Sequence, residues 1–276
     1  MAQISADEVL KLVAQGGVVD LSGKDLSGIQ LFAATLKSVK FRQADLSRAN
    51  LFEADLTGCD FTGATLERAN FEGANLTRAV LVGANLKRAK LDRAILDACD
   101  LSRADFSEAE MDGTFIGRSV AIGAIFRETN LHVASLVESA FFRANFLDAD
   151  LTAASLGSSL FNEAGFVRVR FDVGQAAQAV FANTSFRDAR MRNTNFSGCT
   201  FRGADLTGAD MVSAFLEQVN FVDAKLVETA LSRASLRGAI LTDCDLSRTI
   251  LNGARYDQQT SWPNGFDPVA AGAKLE

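Results

Sequence analysis

Cysteine, histidine and paired carboxylates are the residues in this chain that could do chemistry. Cys59, Cys99, Cys199 and Cys244 would serve as thiolate metal ligands, nucleophiles or disulfide partners, and His132, the single histidine, as a ligand or general base. Asp45, Asp55, Asp60, Asp100, Asp105, Asp205, Asp210 and Asp245 supply carboxylates in number, the raw material of acid–base catalysis. Spacing argues against the cysteines and the histidine, and no carboxylate pair is singled out. No two cysteines stand at metal-ligand distance in sequence, and His132 has no Cys or second His beside it. The chain has no G-x-S-x-G, no H-E-x-x-H, no phosphate-cradling glycine loop and no Ca²⁺-binding nonapeptide.

What places these residues is a repeat. From Leu21 to Tyr256 every fifth residue is Leu, Phe, Met, Ile or Tyr, with Ala121 and Ala176 the exceptions, so 46 of 48 such positions are bulky and apolar. Two residues before each stands a small one, which is Ala in 28 units and elsewhere mostly Ser, Thr, Cys, Val or Gly. The unit reads small, polar, large apolar, polar, variable. A period of five fits neither a helix nor a strand, so each unit is one side of a coil that turns corners. Phe141, Phe161, Phe181, Phe201 and Phe221 recur every 20 residues, as do Phe106, Phe126, Phe146, Phe166 and Phe186, which makes four sides per coil.

In this frame all four cysteines take the small inward slot and act as small core residues. Cys59 and Cys99 share a face two coils apart, about 10 Å, which is beyond disulfide reach. His132 follows the inward Leu131 and should point outward, and the eight aspartates take the outward slot before the large residue, where local backbone bonding is their natural role. Gly83 in "VGANL" and Gly123 in "IGAIF" mark loose turn positions. A filled coil offers no cleft to desolvate a catalytic group, so no enzyme activity, cofactor or metal is expected.

The units "ADLSR" (44–48), "ADLTG" (54–58), "ANFEG" (69–73), "ANLTR" (74–78) and "ADLTG" (204–208) resemble the pentapeptide-repeat family, whose motif is A(D/N)LXX. The flanking stretches are similar to those of cyanobacterial members. The resemblance implies an all-β solenoid, a right-handed quadrilateral β-helix of about 12 coils. Three segments follow: an N-terminal helical cap over 1–18, the β-helix over 19–256 and a C-terminal tail over 257–276. Ser5 with Glu8 forms a capping-box pattern, Val9, Leu10, Leu12 and Val13 supply an apolar face, and Gly16-Gly17 a stop. Trp262, Pro263, Phe266 and Pro268 mark a tail that covers the last coil or pairs with a second copy; Leu275 and Glu276 are given no role. At Ala121 and Ala176 the core should thin into small voids, partly filled by Phe141 in the first case and Phe196 in the second.

The opening "MAQISADEVLKLVAQGG" carries Asp7 and Glu8 where a secretory leader is basic and then apolar, and no long apolar run occurs, so a cytoplasmic protein is expected. A net charge of −6 argues against direct nucleic-acid binding. The expected function is a non-catalytic, regulatory protein–protein interaction scaffold. The alternative the family implies is a DNA mimic that binds DNA gyrase and gives fluoroquinolone resistance. Arginines such as Arg48, Arg68, Arg88, Arg103 and Arg143 interleave with the acids, unlike the uniform charge of a duplex. On one face the outward flanks turn apolar at Val80, Val82, Val120, Ile122, Phe142, Leu160 and Val180, and this patch is the expected contact surface for a partner protein or a second copy.

Overall fold

The structure is a computed structural model that describes residues 4–276, and the chain divides into two compact units, Met1–Ser135 and Leu136–Glu276. Each unit is a right-handed quadrilateral β-helix. The same four bonds recur in every regular side. In the first unit Leu46 N–H donates to Thr65 C=O at 2.8 Å, Arg48 N–H to Glu67 C=O at 2.9 Å and Asp45 N–H back to Lys24 C=O at 2.9 Å, while Ala49 N–H closes the corner on Leu46 C=O at 2.9 Å. In the second, Leu206, Gly208, Asp205 and Ala209 repeat this on Lys225, Val227, Thr184 and Leu206. Parallel bridges therefore link residues 20 apart, from Asp20↔Lys40 to Phe115↔Ser135 in the first unit and from Ala140↔Leu160 to Ser235↔Arg255 in the second.

The corner needs a left-handed backbone. Gly58, with φ 69°, adopts it freely, and Arg48, with φ 57°, adopts it against the preference of an L side chain. Gly83 and Gly123 stand at this same position, with φ 63° and 65°, so the turn they serve is tight and not loose.

The four-sided period brings ring over ring. Phe41 stacks on Phe61 with centroids 5.0 Å apart and planes within 6°. In the second unit Phe141, Phe161, Phe181, Phe201 and Phe221 form one parallel column, with centroids 5.0 to 5.4 Å apart. Phe146, Phe166 and Phe186 form another, and the two columns meet edge-on, as Phe161 and Phe166 do at 5.3 Å. Stacked and edge-on rings suit the aromatic quadrupole, so the interior is filled with side chains. Of the 48 inward residues only Leu246 is not buried.

Two residues before Ala176, a ring takes the space that a side chain would fill. Ala176 is fully buried, and the Phe171 ring lies where a side chain at residue 174 would be: a Cβ on Gly174 would sit 2.1 Å from Phe171 Cε2. Phe171 in turn meets Phe196 edge-on at 5.8 Å.

At the start, α1 (Ala6–Ala14) is capped by Ser5, whose hydroxyl accepts from Glu8 N–H while Glu8 accepts from Ser5 N–H at 2.9 Å. The apolar face is narrower than the sequence suggests: Val9 is buried and Val13 half-buried, but Leu10 and Leu12 are exposed, because a nine-residue helix presents only one stripe to the coil beneath. At the other end β1 (Arg255–Tyr256) pairs in parallel with β2 (Lys274–Leu275), in register Arg255↔Lys274 and Tyr256↔Leu275. The tail also pairs Ser261 with Ile240, and Trp262 packs edge-on to Tyr256 at 5.4 Å and face to face with Phe266 at 5.3 Å. Leu275 and Glu276 thus have a structural role: Glu276 N–H donates to Tyr256 C=O, and its carboxylate pairs with Arg237.

Candidate protein-contact surface

The residues suited to chemistry are held by the repeat in structural roles. Each cysteine thiol donates to the carbonyl 23 residues back: Cys59 to Leu36 at 2.9 Å, Cys99 to Leu76 at 3.0 Å, Cys199 to Ala176 at 2.9 Å and Cys244 to Phe221 at 2.7 Å. Thr114 and Thr229 in the same slot do likewise to Leu91 and Leu206. Burial pushes all four thiols up to about 12, which suppresses the reactive thiolate. Among the described residues no group of three or more His, Cys, Asp or Glu is placed to hold a metal ion. His132 points outward as expected, and its Nδ1 lies 2.8 Å from the Asp112 carboxylate, a pairing with no signal in the sequence except their separation of one coil.

All eight aspartates accept from the backbone N–H two residues on: Asp45 from Ser47, Asp55 from Thr57, Asp60 from Thr62, Asp100 from Ser102, Asp105 from Ser107, Asp205 from Thr207, Asp210 from Val212 and Asp245 from Ser247. This local bond caps the start of each corner. Burial opposes ionisation of Asp60, yet the Thr62 hydroxyl and amide together with Arg42 hold its carboxyl below the usual range. Many acids also meet a cation: Arg88 pairs with Glu108 at 2.9 Å, Arg93 with Glu72 at 2.6 Å, Arg143 with Glu163 at 2.7 Å and Arg168 with Asp148 at 2.6 Å.

The apolar patch divides between the two units. In the first, Val120 and Ile122 are exposed, 40% and 45%, while Val80 and Val82 are half-buried, and Asp100 stands between Val80 and Val120 on their ladder. In the second, Ala140, Leu160 and Val180 occupy three consecutive rungs without interruption. Leu160 is exposed, and Phe142 and Val180 are half-buried, so Phe142 presents less surface than its outward slot suggests. Two further residues of the first unit stand outside the expected patch. Ile95 and Phe115 are bridged neighbours on the adjoining face, exposed 41% and 36%, and both occupy the slot that elsewhere holds the capping Asp or Asn. The Phe115 ring lies across Gly117, where a Cβ would come within 2.5 Å of it, and the nearby Asp97 carboxylate is held by Arg118. Their outward register, 20 residues apart, was the available signal.

The repeat geometry, with a left-handed corner every five residues and bridges between residues 20 apart, has a family counterpart. The model for pentapeptide repeats matches in 8 copies, over residues 29–68, 59–97, 84–120, 99–136, 177–211 and 214–253. The chain belongs to the pentapeptide-repeat family. Comparison with curated proteins gives no match. Among solved structures, this pentapeptide-repeat chain is similar to HetL, a pentapeptide repeat protein involved in heterocyst differentiation regulation from the cyanobacterium Nostoc sp. strain PCC 7120. Identity is 23%, over 96% of this chain and 99% of that one, with a TM-score of 0.30. It is also similar to QnrB1, a plasmid-mediated fluoroquinolone resistance protein, at 13% identity over 73% of this chain and 93% of that one, with a TM-score of 0.35. A second Nostoc pentapeptide repeat protein, alr5209, matches at 26% identity over 46% of this chain and 84% of that one, with a TM-score of 0.22. Pentapeptide-repeat proteins are generally structural or interaction proteins. No helix among the described residues is long and apolar enough to cross a membrane.

Proposed function

We propose that this pentapeptide-repeat protein is a non-catalytic, cytoplasmic regulator that binds another protein through apolar stretches of its β-helix wall. The observation that carries this is the run Ala140–Leu160–Val180 on consecutive rungs. The slot they fill normally holds an Asp or Asn that caps the corner, as Asp205 does for Thr207. Leucine there gives up that bond and leaves hydrocarbon in water, a combination that a partner's surface would offset. The distribution of charge favours this reading over the DNA mimic. Acids at the corners are matched by Arg88, Arg93, Arg143 and Arg168, so the wall does not offer the unbroken negative ladder of a duplex.

Affinity capture from extract of the source cells tests the proposal. Leu160→Glu combined with Phe142→Glu should leave circular dichroism unchanged and lower the melting temperature by only a few degrees, while abolishing capture. Capture that survives both changes would show that the run is ordinary wall. A gyrase supercoiling assay at micromolar protein should show neither inhibition nor protection; either effect would revive the mimic.

A further inference from the structure

One side of the last coil lacks a cover. In the rung before it, Leu226 N–H donates to Asp245 C=O at 2.8 Å, Glu228 N–H to Ser247 C=O at 3.0 Å and Asp245 N–H to Ala224 C=O at 3.1 Å. One coil on, the equivalent groups, Leu246 N–H, Arg248 N–H and Cys244 C=O, have no backbone partner among the described residues. The tail passes this side without joining it. A groove of about 340 Å³ lies between the Cys244–Ser247 edge and the Pro263–Phe266 segment, and Leu246 is half-buried at its floor.

The cause is a slip of one residue. Phe221 N–H donates to Ile240 C=O, 19 residues ahead, but Leu241 N–H donates to Ser261 C=O, 20 ahead. Continued in that register, the chain would set Asp267, and not Phe266, over Leu246. A carboxylate cannot go there unpaired. Asp267 instead caps a turn, accepting from Val269 N–H and Ala270 N–H at 3.0 Å each, and the tail rejoins the coil only at Gly272 and β2.

We propose that this open rung is a strand-acceptor site that takes an extended segment of a partner protein, parallel to Cys244–Arg248, of the form small–basic–large apolar. The hydrogen bonds fix the register: the central residue must offer both C=O and N–H, to Leu246 N–H and Cys244 C=O, and the residue two beyond must offer C=O to Arg248 N–H. The charge follows from the outward ladder. Asp205, Lys225 and Asp245 alternate in sign on successive bridges, and Asp243 stands exposed at the corner beside them, so a Lys or Arg continues the series. The residue after it faces inward and covers Leu246. The chain itself closes the last side of its coil with a segment of the same form: Ala273 is buried, Lys274 pairs with Arg255 and donates to Ala254 C=O at 2.7 Å, and Leu275 pairs with Tyr256 while its outer side stays exposed. The site stands apart from the wall residues Phe142 and Leu160, and its test does not depend on them.

Fluorescence anisotropy with the full chain and a fluorescein-labelled peptide of residues 88–94, which carries Ala89-Lys90-Leu91, provides the test. Saturable binding is expected in the micromolar range. It should weaken at least tenfold when the Lys90 amide nitrogen of the peptide is methylated, when its Leu91 is replaced by Asp, and when the protein carries Leu246→Asp. The two peptide changes leave the protein's folding untouched. Absence of saturation, or equal binding of the methylated peptide, would overturn the proposal. So would a chain that ignores the peptide but dimerises in sedimentation and is made monomeric by Leu246→Asp, since the occupant would then be a second copy.

Discussion

The second unit departs from its repeat twice, at Ala176 and at Leu246, and the structure treats the two departures differently. At Ala176 the inward residue is too small, but complete coils lie on both sides, and Phe171 turns its ring into the space that Gly174 leaves open. At Leu246 the residue is the right size, but no coil follows in register, and it remains half-buried beside an unpaired edge. A stacked solenoid stabilises each coil through its neighbours, so a defect between two coils is repacked and a defect at the last one is left open. That openness is what makes the end of this unit a candidate for binding, and the interior defect is not one.

Truncating the same column one coil apart gives the largest contrast. Leu226→Ala should cost about 2–5 kcal/mol, since Leu226 is fully buried and the cavity has little room to collapse. Leu246→Ala should cost about 1 kcal/mol or less, because the leucine is only partly removed from water. Urea unfolding of both variants measures this, and equal losses would mean that the last rung is covered in solution. The interior repair makes the next prediction. Gly174→Ala should cost about 1–3 kcal/mol by overpacking, although alanine is the commonest residue in that slot, because the new methyl meets the Phe171 ring. A neutral result would show that Phe171 can withdraw and that the gap beside Ala176 is real.

Periodicity made the fold legible, because a strict period of five without insertion admits only one inward face per side. It placed Cys59, His132 and the eight aspartates correctly, since slot alone decides their direction. It did not reveal what depends on the shape of neighbours. The Phe171 ring in the Gly174 space, the Phe115 ring across Gly117 and the half-burial of Phe142 are all matters of rotamer and contact. Ile95 and Phe115 are apolar residues in an outward slot, on a different face from the run that includes Leu160 and Val180. The slip at Ser261 was the least accessible: Phe266 stands 20 residues beyond Leu246, so the sequence pattern continues on paper while the backbone has moved by one.

Acid should separate the end of the unit from its interior by a smaller amount. Asp257 ties the tail to the last regular coil: its carboxylate accepts from Gly238 N–H at 2.9 Å, Gln259 N–H at 3.0 Å and Thr260 N–H at 3.1 Å. The Gly238 amide is the main cause of a carboxyl held below its usual range; desolvation opposes it, and the Thr260 hydroxyl and the other two amides add to it. A group whose folded value lies below the unfolded value of about 3.9 contributes stability above that pH and loses it as the pH falls through the folded value. Interior aspartates such as Asp205 are also held low, but the rungs around them are bonded on both sides. Hydrogen exchange, corrected for intrinsic rates, should therefore show the Ser261 and Lys274 amides losing protection between pH 5 and pH 3 while Leu206 keeps it. In Asp257→Asn, which retains an acceptor but cannot ionise, protection of the tail should be lower at pH 5 and change little on going to pH 3. A wild-type tail that stays as protected at pH 3 as at pH 5 would show that Trp262 and β2 hold it without Asp257.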